Sequence, residues 1–133
     1  MTTLLRSQTL SVSVDCPPHR VYAFVSNPGN LPGWAAGLCK SGSKSAAGWI
    51  VETTQGPMNL RFVEHNDLGV LDHYVSPAPG VEVYVPMRVL PNGSGSTVLL
   101  TLFQLPGMSD EKYAEDAGLV ARDLETLKNV LEK

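Results

Sequence analysis

The sequence has little of what defines several protein classes. It contains only two cysteines, Cys16 and Cys39, with no CxxC pair and no Cys/His cluster. We therefore expect free thiols rather than a disulfide framework or a zinc site. No apolar run approaches the roughly 20 residues of a membrane span, and the N-terminus lacks the apolar segment of a secretory signal. These absences predict a cytoplasmic protein without a membrane span.

Charge is also sparse and evenly mixed. Charged residues make up 17% of the chain, and the net charge of -3 is spread without long runs of one sign. A polyanionic partner needs a basic patch, so we do not expect nucleic acid binding. The apolar content of 43% is typical of a soluble globular protein, and 133 residues suit one domain with one core, residues 1–133.

The familiar catalytic motifs are missing. GxSxG, HExxH, a P-loop and a GxGxxG after a strand are all absent, so serine hydrolases, zinc proteases and nucleotide enzymes lose their usual support. His65 and His73 lie on adjacent predicted strands, but a metal site would also need Glu64, Asp72 or Glu82 on the same side. We expect neither a metal nor a cofactor.

The periodicity predicts an α+β fold. Residues 7–14 alternate as a half-buried strand, and two prolines then begin a short helix near Pro17 or Pro18. A further helical turn or two can follow before a run of strands at about 38–43, 48–55, 58–66, 69–76, 80–90 and 95–105. The turns between these strands are short, which permits only antiparallel neighbours in a meander.

The C-terminal residues 109–133 form the clearest element. Ser109 is a candidate N-cap, and apolar side chains recur at steps of four and three on one stripe: Tyr113, Ala117, Val120, Leu124, Leu127 and Leu131. This pattern predicts a long helix that packs on the sheet; a coiled-coil seam is the alternative. Gly118 in its middle costs about 1 kcal/mol relative to alanine and suggests a close approach or a bend.

This order of elements resembles the helix-grip fold of the START/Bet v 1-like superfamily, also called SRPBCC. Several stretches look like its polyketide cyclase/dehydrase-like branch: SVSVDCPPHRVYAFVSNPGNLPGW with Trp34, the hairpin VLDHYVSPAPGVEVYVPMRVLPNG and the ending DLETLKNVLEK. The resemblance covers nearly the whole chain. It implies a bent antiparallel sheet wrapped around the long C-terminal helix, two short helices after the first strand, and a cavity in between.

Such a cavity would bind a small hydrophobic or amphipathic molecule. The side chains that could line or fill it are large and apolar or contain sulfur: Trp34, Met58, Phe62, Met87, Phe103, Tyr113 and Leu124. The same residues would equally well fill the core without leaving a pocket, so the sequence supports both a ligand cavity and a filled core.

The polar residues of the central strands supply the candidates for chemistry. Strand alternation sends His73 inward with Leu71 and Val75. There it is either a core residue whose hydrogen bond is satisfied or a group that moves a proton near neutral pH. Glu82, Tyr84 and Arg88 share the face opposite a row of valines and should point outward. Arg61 is expected to stay in solvent or to pair with Glu52 or Asp72.

Three functions follow from these observations. The first is a carrier of a lipid-, polyketide- or aromatic-like molecule. The second is a cyclase or dehydratase in which His73 acts as general acid/base and Arg61 or Arg88 stabilises an enolate oxygen. The third is an interaction module with a filled core, in which Glu82, Tyr84 and Arg88 meet another protein or a second copy to form a homodimer.

Overall fold

The computed structural model describes residues 4–35, 39–45, 48–53 and 56–133. The elements in chain order are β1 (Ser7–Val14), α1 (Pro18–Val25), a 3-10 turn (Pro28–Asn30), α2 (Leu31–Trp34), β2 (Cys39–Ser45), β3 (Gly48–Thr53), β4 (Gly56–Phe62), β5 (His73–Ala78), β6 (Val81–Val85), β7 (Met87–Asn92), β8 (Gly95–Phe103) and α3 (Asp110–Leu131). The predicted helix-grip architecture is confirmed: antiparallel strands, short helices after the first strand and one long C-terminal helix.

The strands form a bent meander in which every neighbouring pair is antiparallel. Five strands follow one another as β2–β3–β4–β5–β6, and three more are ordered β1–β8–β7. The predicted strand 80–90 is divided at Pro86, because proline has no N–H for the ladder. Across this break Leu71 N donates to Met87 O at 2.8 Å and Val89 N donates to Gly69 O at 2.9 Å, which keeps the two sets of strands joined.

Helix α3 matches its sequence pattern closely. The Ser109 hydroxyl accepts a hydrogen bond from Lys112 N at 3.1 Å and caps the helix. Every residue of the predicted apolar stripe is buried, and the helix packs against β1 and α2. Gly118 is exposed, and a Cβ added there would meet nothing within 4 Å, so the expected close approach is wrong.

The segment between α1 and β2 is held by two asparagines. The Asn27 side chain accepts a hydrogen bond from Gly29 N at 3.0 Å, which starts the 3-10 turn, and Asn30 Nδ2 donates to Phe24 O at 2.9 Å, which ties the turn back to α1. Pro28 and Pro32 fix the backbone further. This segment therefore presents Leu31 and Trp34 to the interior in a defined orientation.

The interior divides into two apolar clusters. The larger one joins α3 to β1, β7, β8 and α1 and contains Val14, Cys16, Val21, Val25, Trp34, Ala35, Leu71, Met87, Val89, Val98, Leu100, Val120, Leu124, Leu127 and Leu131. The smaller one is built on Val51 and Leu60 of β3 and β4. Leu31 and Phe62 are half-buried and pack against both clusters.

Candidate functional site

The inner face of the five-stranded sheet is apolar but only partly covered. Phe62, His73 and Val85 lie opposite one another on β4, β5 and β6, so their side chains share one face. Phe62 and Val85 pack against the cluster that contains α3, which identifies this face as the inner one. Its described residues other than Val51 and Leu60 are half-buried: Trp49, Met58, Phe62, His73, Val75, Val83 and Val85. We call this surface the inner apolar face.

His73 is the polar residue of the inner apolar face. Its Nδ1 lies 3.0 Å from the carbonyl oxygen of Leu71, and a carbonyl cannot donate, so Nδ1 carries the proton. Burial lowers the pKa of His73 below its ordinary value, more than the Leu71 carbonyl and the Asp72 charge raise it. The ring is therefore neutral near pH 7, and its Nε2 has a lone pair that no described group of the chain occupies. Beside it the Phe62 ring lies 5.0 Å away between centroids.

Trp34, on α2, carries a hydrogen-bond donor inside the larger cluster. The side chain is 5% exposed and belongs to the larger cluster. Its Nε1–H is buried, and no group of the described residues accepts a hydrogen bond from it. A buried donor without a partner is uncommon in native structures and costs about 1–3 kcal/mol.

The other predicted pocket residues fall into three groups. Met58 and Phe62 lie half-buried on the inner apolar face. Met87 and Leu124 are fully packed in the larger cluster, and Tyr113 is buried with its hydroxyl donating to Leu102 O at 2.9 Å. Phe103 points the other way: on β8 it alternates with buried Val98 and Leu100, and its ring stacks near Tyr84, 6.4 Å between centroids. Phe103 therefore does not belong to the predicted pocket. The prediction included it because the side chain is large and aromatic, whereas its position in the strand alternation puts it on the opposite face from Val98 and Leu100.

Arg61 lies on the outer face of the sheet, opposite to the neighbouring Phe62. Its Nη2 donates to Glu82 Oε2 at 3.0 Å, and the guanidinium lies over the Tyr74 ring at 4.4 Å from the centroid. Arg61 is exposed, one of the two expected outcomes, and its partner is Glu82 rather than Glu52 or Asp72. The pairing is set by the register across β4, β5 and β6, which stacks Arg61 beside Tyr74 and Tyr84.

Arg88 also faces outward and binds the buried carboxylate of Asp72. Arg88 Nη2 donates to Oδ2 at 3.1 Å, Tyr84 Oη donates to the same oxygen at 2.9 Å, and Met87 N donates to Oδ1 at 2.8 Å. Burial raises the pKa of Asp72, but these hydrogen bonds and the Arg88 charge outweigh it, and the pKa lies below its ordinary value.

The predicted catalytic trio is not assembled. The His73 side chain faces inward, whereas Arg61 and Arg88 face outward and are both held by carboxylates. No enolate oxygen can touch His73 and either arginine together, since the sheet lies between them. The sequence analysis did not predict that Asp72 pairs with Arg88. The position of Asp72 directly before the inward-facing His73 was the available indication that its side chain points to the other face.

The remaining candidates for metal or redox chemistry are separated. His65 is exposed and contacts the Tyr22 ring at 4.9 Å between centroids, while His73 contacts Phe62. Within the described ranges no group of three His, Cys, Asp or Glu residues could hold a metal ion. Cys16 is a buried free thiol, and no helix of the described residues is long and apolar enough to cross a membrane.

A groove lies where the same strands reach the β5–β6 turn, mainly on the outer face. It is an open groove of about 490 Å³, lined by residues of β3, β4 and the β5–β6 turn: Ile50, Pro57, Met58, Asn59, Ser76, Pro77, Ala78, Pro79 and Gly80. It carries no titratable side chain. We call it the outer groove, and it is a competing location for a small molecule.

Comparison with known proteins defines the fold. No protein-family description and no curated protein sequence matches the chain. Among solved structures, the protein XoxI from Bacillus cereus superposes with a TM-score of 0.76 at 19% identity over 96% of both chains. A START superfamily protein from Mycobacterium smegmatis gives 0.69 at 12% identity over 95% of this chain and 97% of the other.

A third similar structure is the di-domain ARO/CYC protein BexL from the BE-7585A biosynthetic pathway. The TM-score is 0.71 at 16% identity, over 94% of this chain and 46% of the two-domain protein. These likenesses confirm that the chain has the helix-grip fold of START and Bet v 1-like proteins. At such identities they establish the fold alone.

Proposed function

We propose that this protein binds a small hydrophobic or amphipathic molecule against the inner apolar face, between the five-stranded sheet and α3. The observation that carries the proposal is the incomplete burial of that face. Its apolar side chains point toward the core clusters and yet stay half-buried, while the neighbouring cluster around α3 is closely packed. A ligand would cover this surface, and each square ångström of apolar area removed from water contributes about 25 cal/mol.

The polar group on the same face, His73, favours an amphipathic ligand over a pure hydrocarbon. Ligand pockets are mostly apolar with a few polar groups that fix orientation. His73 offers an acceptor at Nε2. The fold supports the same function, because the structures it resembles include a START superfamily protein and an ARO/CYC protein.

An enzymatic role is the second candidate, and one observation favours it. A neutral imidazole with a free lone pair on an apolar wall can act as a general base. The chemistry would have to proceed without the two arginines. The interaction-module alternative has less support, because Glu82, Tyr84 and Arg88 are already engaged within the chain.

Native mass spectrometry of protein purified under mild conditions tests the carrier function. We expect a mass above that of the bare chain and release of a stoichiometric small molecule on solvent extraction. A substrate or product pair in the extract would favour the enzyme. A bare chain that also fails to bind naphthalene-sized probes would contradict the proposal.

Two neighbouring substitutions then decide where the molecule binds. Val75→Trp fills the inner apolar face, whereas Ser76→Trp fills the outer groove. We expect Val75→Trp to abolish binding and Ser76→Trp to leave it unchanged, with circular dichroism confirming that both variants fold. The reverse result would move the site to the outer groove.

A further inference from the structure

His73 presents a hydrogen-bond acceptor at the surface of the inner apolar face. The register of β4, β5 and β6 sets His73 between Phe62 and Val85, and all three side chains are half-buried. The Nε2 atom has no hydrogen-bond partner among the described residues, and it is not one of their fully buried atoms that lack a partner. It therefore lies where an atom of a bound molecule can reach it.

The tautomer of the imidazole decides what Nε2 can bind. The Nδ1–H group donates to the carbonyl oxygen of Leu71 at 3.0 Å, which keeps the proton of the neutral ring on Nδ1. Nε2 then has only a lone pair, so it accepts a hydrogen bond and cannot donate one. A ligand atom that meets Nε2 must itself carry a hydrogen, which a carbonyl or ether oxygen does not.

The charged groups around the interior restrict this ligand donor to a neutral one. Every lysine and arginine whose side chain the structure describes is exposed or ion-paired, so a bound anion would lack a counter-charge. Of the described carboxylates that are buried, Asp72 is held by Arg88 on the outer face, and Asp123 of α3 already interacts within the chain. A buried ammonium group would therefore also be costly to desolvate.

The surroundings of Nε2 favour an aromatic hydroxyl. The Phe62 ring lies 5.0 Å from the imidazole between centroids, and Val75 and Val85 continue the apolar surface on β5 and β6. A flat aromatic ring gives a large contact area on such a surface. A phenolic O–H has a pKa of about 10, so it stays neutral and keeps its hydrogen near pH 7.

We propose that His73 determines the specificity of this site by accepting, at Nε2, a hydrogen bond from a neutral hydroxyl group of the bound molecule. The inference rests on the proposed function and names the ligand class: a mainly apolar aromatic molecule with a phenolic or alcoholic hydroxyl. Fatty acid anions, amines and ketones without a hydroxyl lie outside that class.

Three naphthalenes separate the hydroxyl from the rest of the ligand. Naphthol carries the donor, methylnaphthalene replaces it with a methyl group of similar size, and acetylnaphthalene carries an acceptor and no donor. A hydroxyl is costlier to remove from water than a methyl group, so the informative quantity is the ratio of the affinities for naphthol and methylnaphthalene. We expect His73→Phe, which keeps an aromatic ring, to lower this ratio about fivefold, the value of one net neutral hydrogen bond. The ratio for acetylnaphthalene and methylnaphthalene should stay the same.

Two other substitutions are matched controls. His19→Phe makes the same chemical change at an exposed position of α1 and should leave the affinities for all three probes unchanged. Phe62→Leu removes apolar contact area beside His73 and should weaken the binding of all three probes while keeping their ratios. Circular dichroism confirms that each variant folds.

NMR of the wild-type protein keeps the inference testable if His73→Phe fails to fold. The chain has three histidines, so His19→Gln and His65→Gln assign the remaining imidazole signals to His73. The nitrogen signal of His73 Nε2 should move upfield with naphthol and not with methylnaphthalene, because accepting a hydrogen bond shields an unprotonated ring nitrogen.

The outcomes distinguish the role of His73 from the binding function itself. Equal shifts or no shift with the two probes, or an unchanged affinity ratio in a folded His73→Phe variant, would overturn the role of His73 and leave the binding function standing. A parallel fall in the acetylnaphthalene ratio would do the same, because that probe has no donor. If none of the three naphthalenes binds, the proposed function is contradicted.

Discussion

The guanidinium of Arg88 donates to the carboxylate of Asp72 at 3.1 Å, and the two ends of this ion pair differ sharply in exposure. The Asp72 side chain is 8% exposed and that of Arg88 is 45% exposed. The carboxylate also accepts from Met87 N, next to Pro86, where the sheet bends. The pair therefore fixes the geometry of the strand break that separates the inner apolar face from the core around β7 and β8.

Replacing Asp72 should destabilise the protein. Asp72→Asn keeps the size of the side chain but removes the charge that Arg88 and Tyr84 share, and we expect a loss of about 2 kcal/mol in the free energy of unfolding by urea at pH 7. Asp67→Asn is the control, since that carboxylate is exposed on a loop. A loss below about 0.5 kcal/mol would show that the network is not structural.

The pH dependence of this effect has a defined sign. The folded pKa of Asp72 lies below its ordinary value of 3.8, so the stabilisation is fully present above 3.8 and is lost as pH falls through the folded pKa. The difference between wild type and Asp72→Asn should accordingly shrink in strongly acidic urea titrations.

His73 should make stability fall at mildly acidic pH. Its folded pKa lies below the ordinary 6.5 because of burial, so between the two values the unfolded chain binds more protons and stability rises with pH. Wild-type protein should lose free energy of unfolding as pH drops below 6.5 toward the folded pKa. In His73→Gln this slope should be absent, and in His19→Gln, on the exposed side of α1, it should remain. An equal slope in His73→Gln would contradict the neutral imidazole assigned to His73 at pH 7.

The two faces of β4 should respond differently in a ligand assay. Arg61 and Phe62 are adjacent, but only Phe62 lies on the inner apolar face. With acetylnaphthalene as probe we expect Phe62→Leu to weaken binding and Arg61→Gln to leave it unchanged. The stability of Arg61→Gln should change by less than about 1 kcal/mol, since its ion pair with Glu82 is exposed. Weaker binding in Arg61→Gln would return this arginine to the site.

The parts of the fold that depend on local periodicity were predictable. The stripe on α3 and the alternation in β1 follow from side-chain directions that every helix and strand shares. The division of the strand 80–90 at Pro86 was readable in principle, because a proline cannot donate to a ladder. The apolar residues on both sides of Pro86 instead indicate one unbroken strand.

The partners within the site were less predictable, because they depend on register between strands far apart in sequence. Arg61 meets Glu82 across two strand pairings, and Asp72 reaches Arg88 only because the chain bends between them. The inward direction of the His73 side chain was predictable from the alternation of residues along its own strand, and it agrees with the contact between the His73 and Phe62 rings. The unpaired N–H of Trp34 had no sequence signal, since it is a property of the whole packing.

Gly118 offers a stabilising substitution at no steric cost. It lies in the interior of α3, is exposed, and has nothing within 4 Å of where a Cβ would be. Gly118→Ala removes the backbone entropy penalty of glycine and should raise the free energy of unfolding by about 1 kcal/mol in urea titrations. Ala121→Gly, at an exposed position of the same helix, is the matched reverse change and should lower it by a similar amount. A Gly118→Ala variant that loses stability while Ala121→Gly behaves as expected would show that α3 needs the glycine for a contact made in solution.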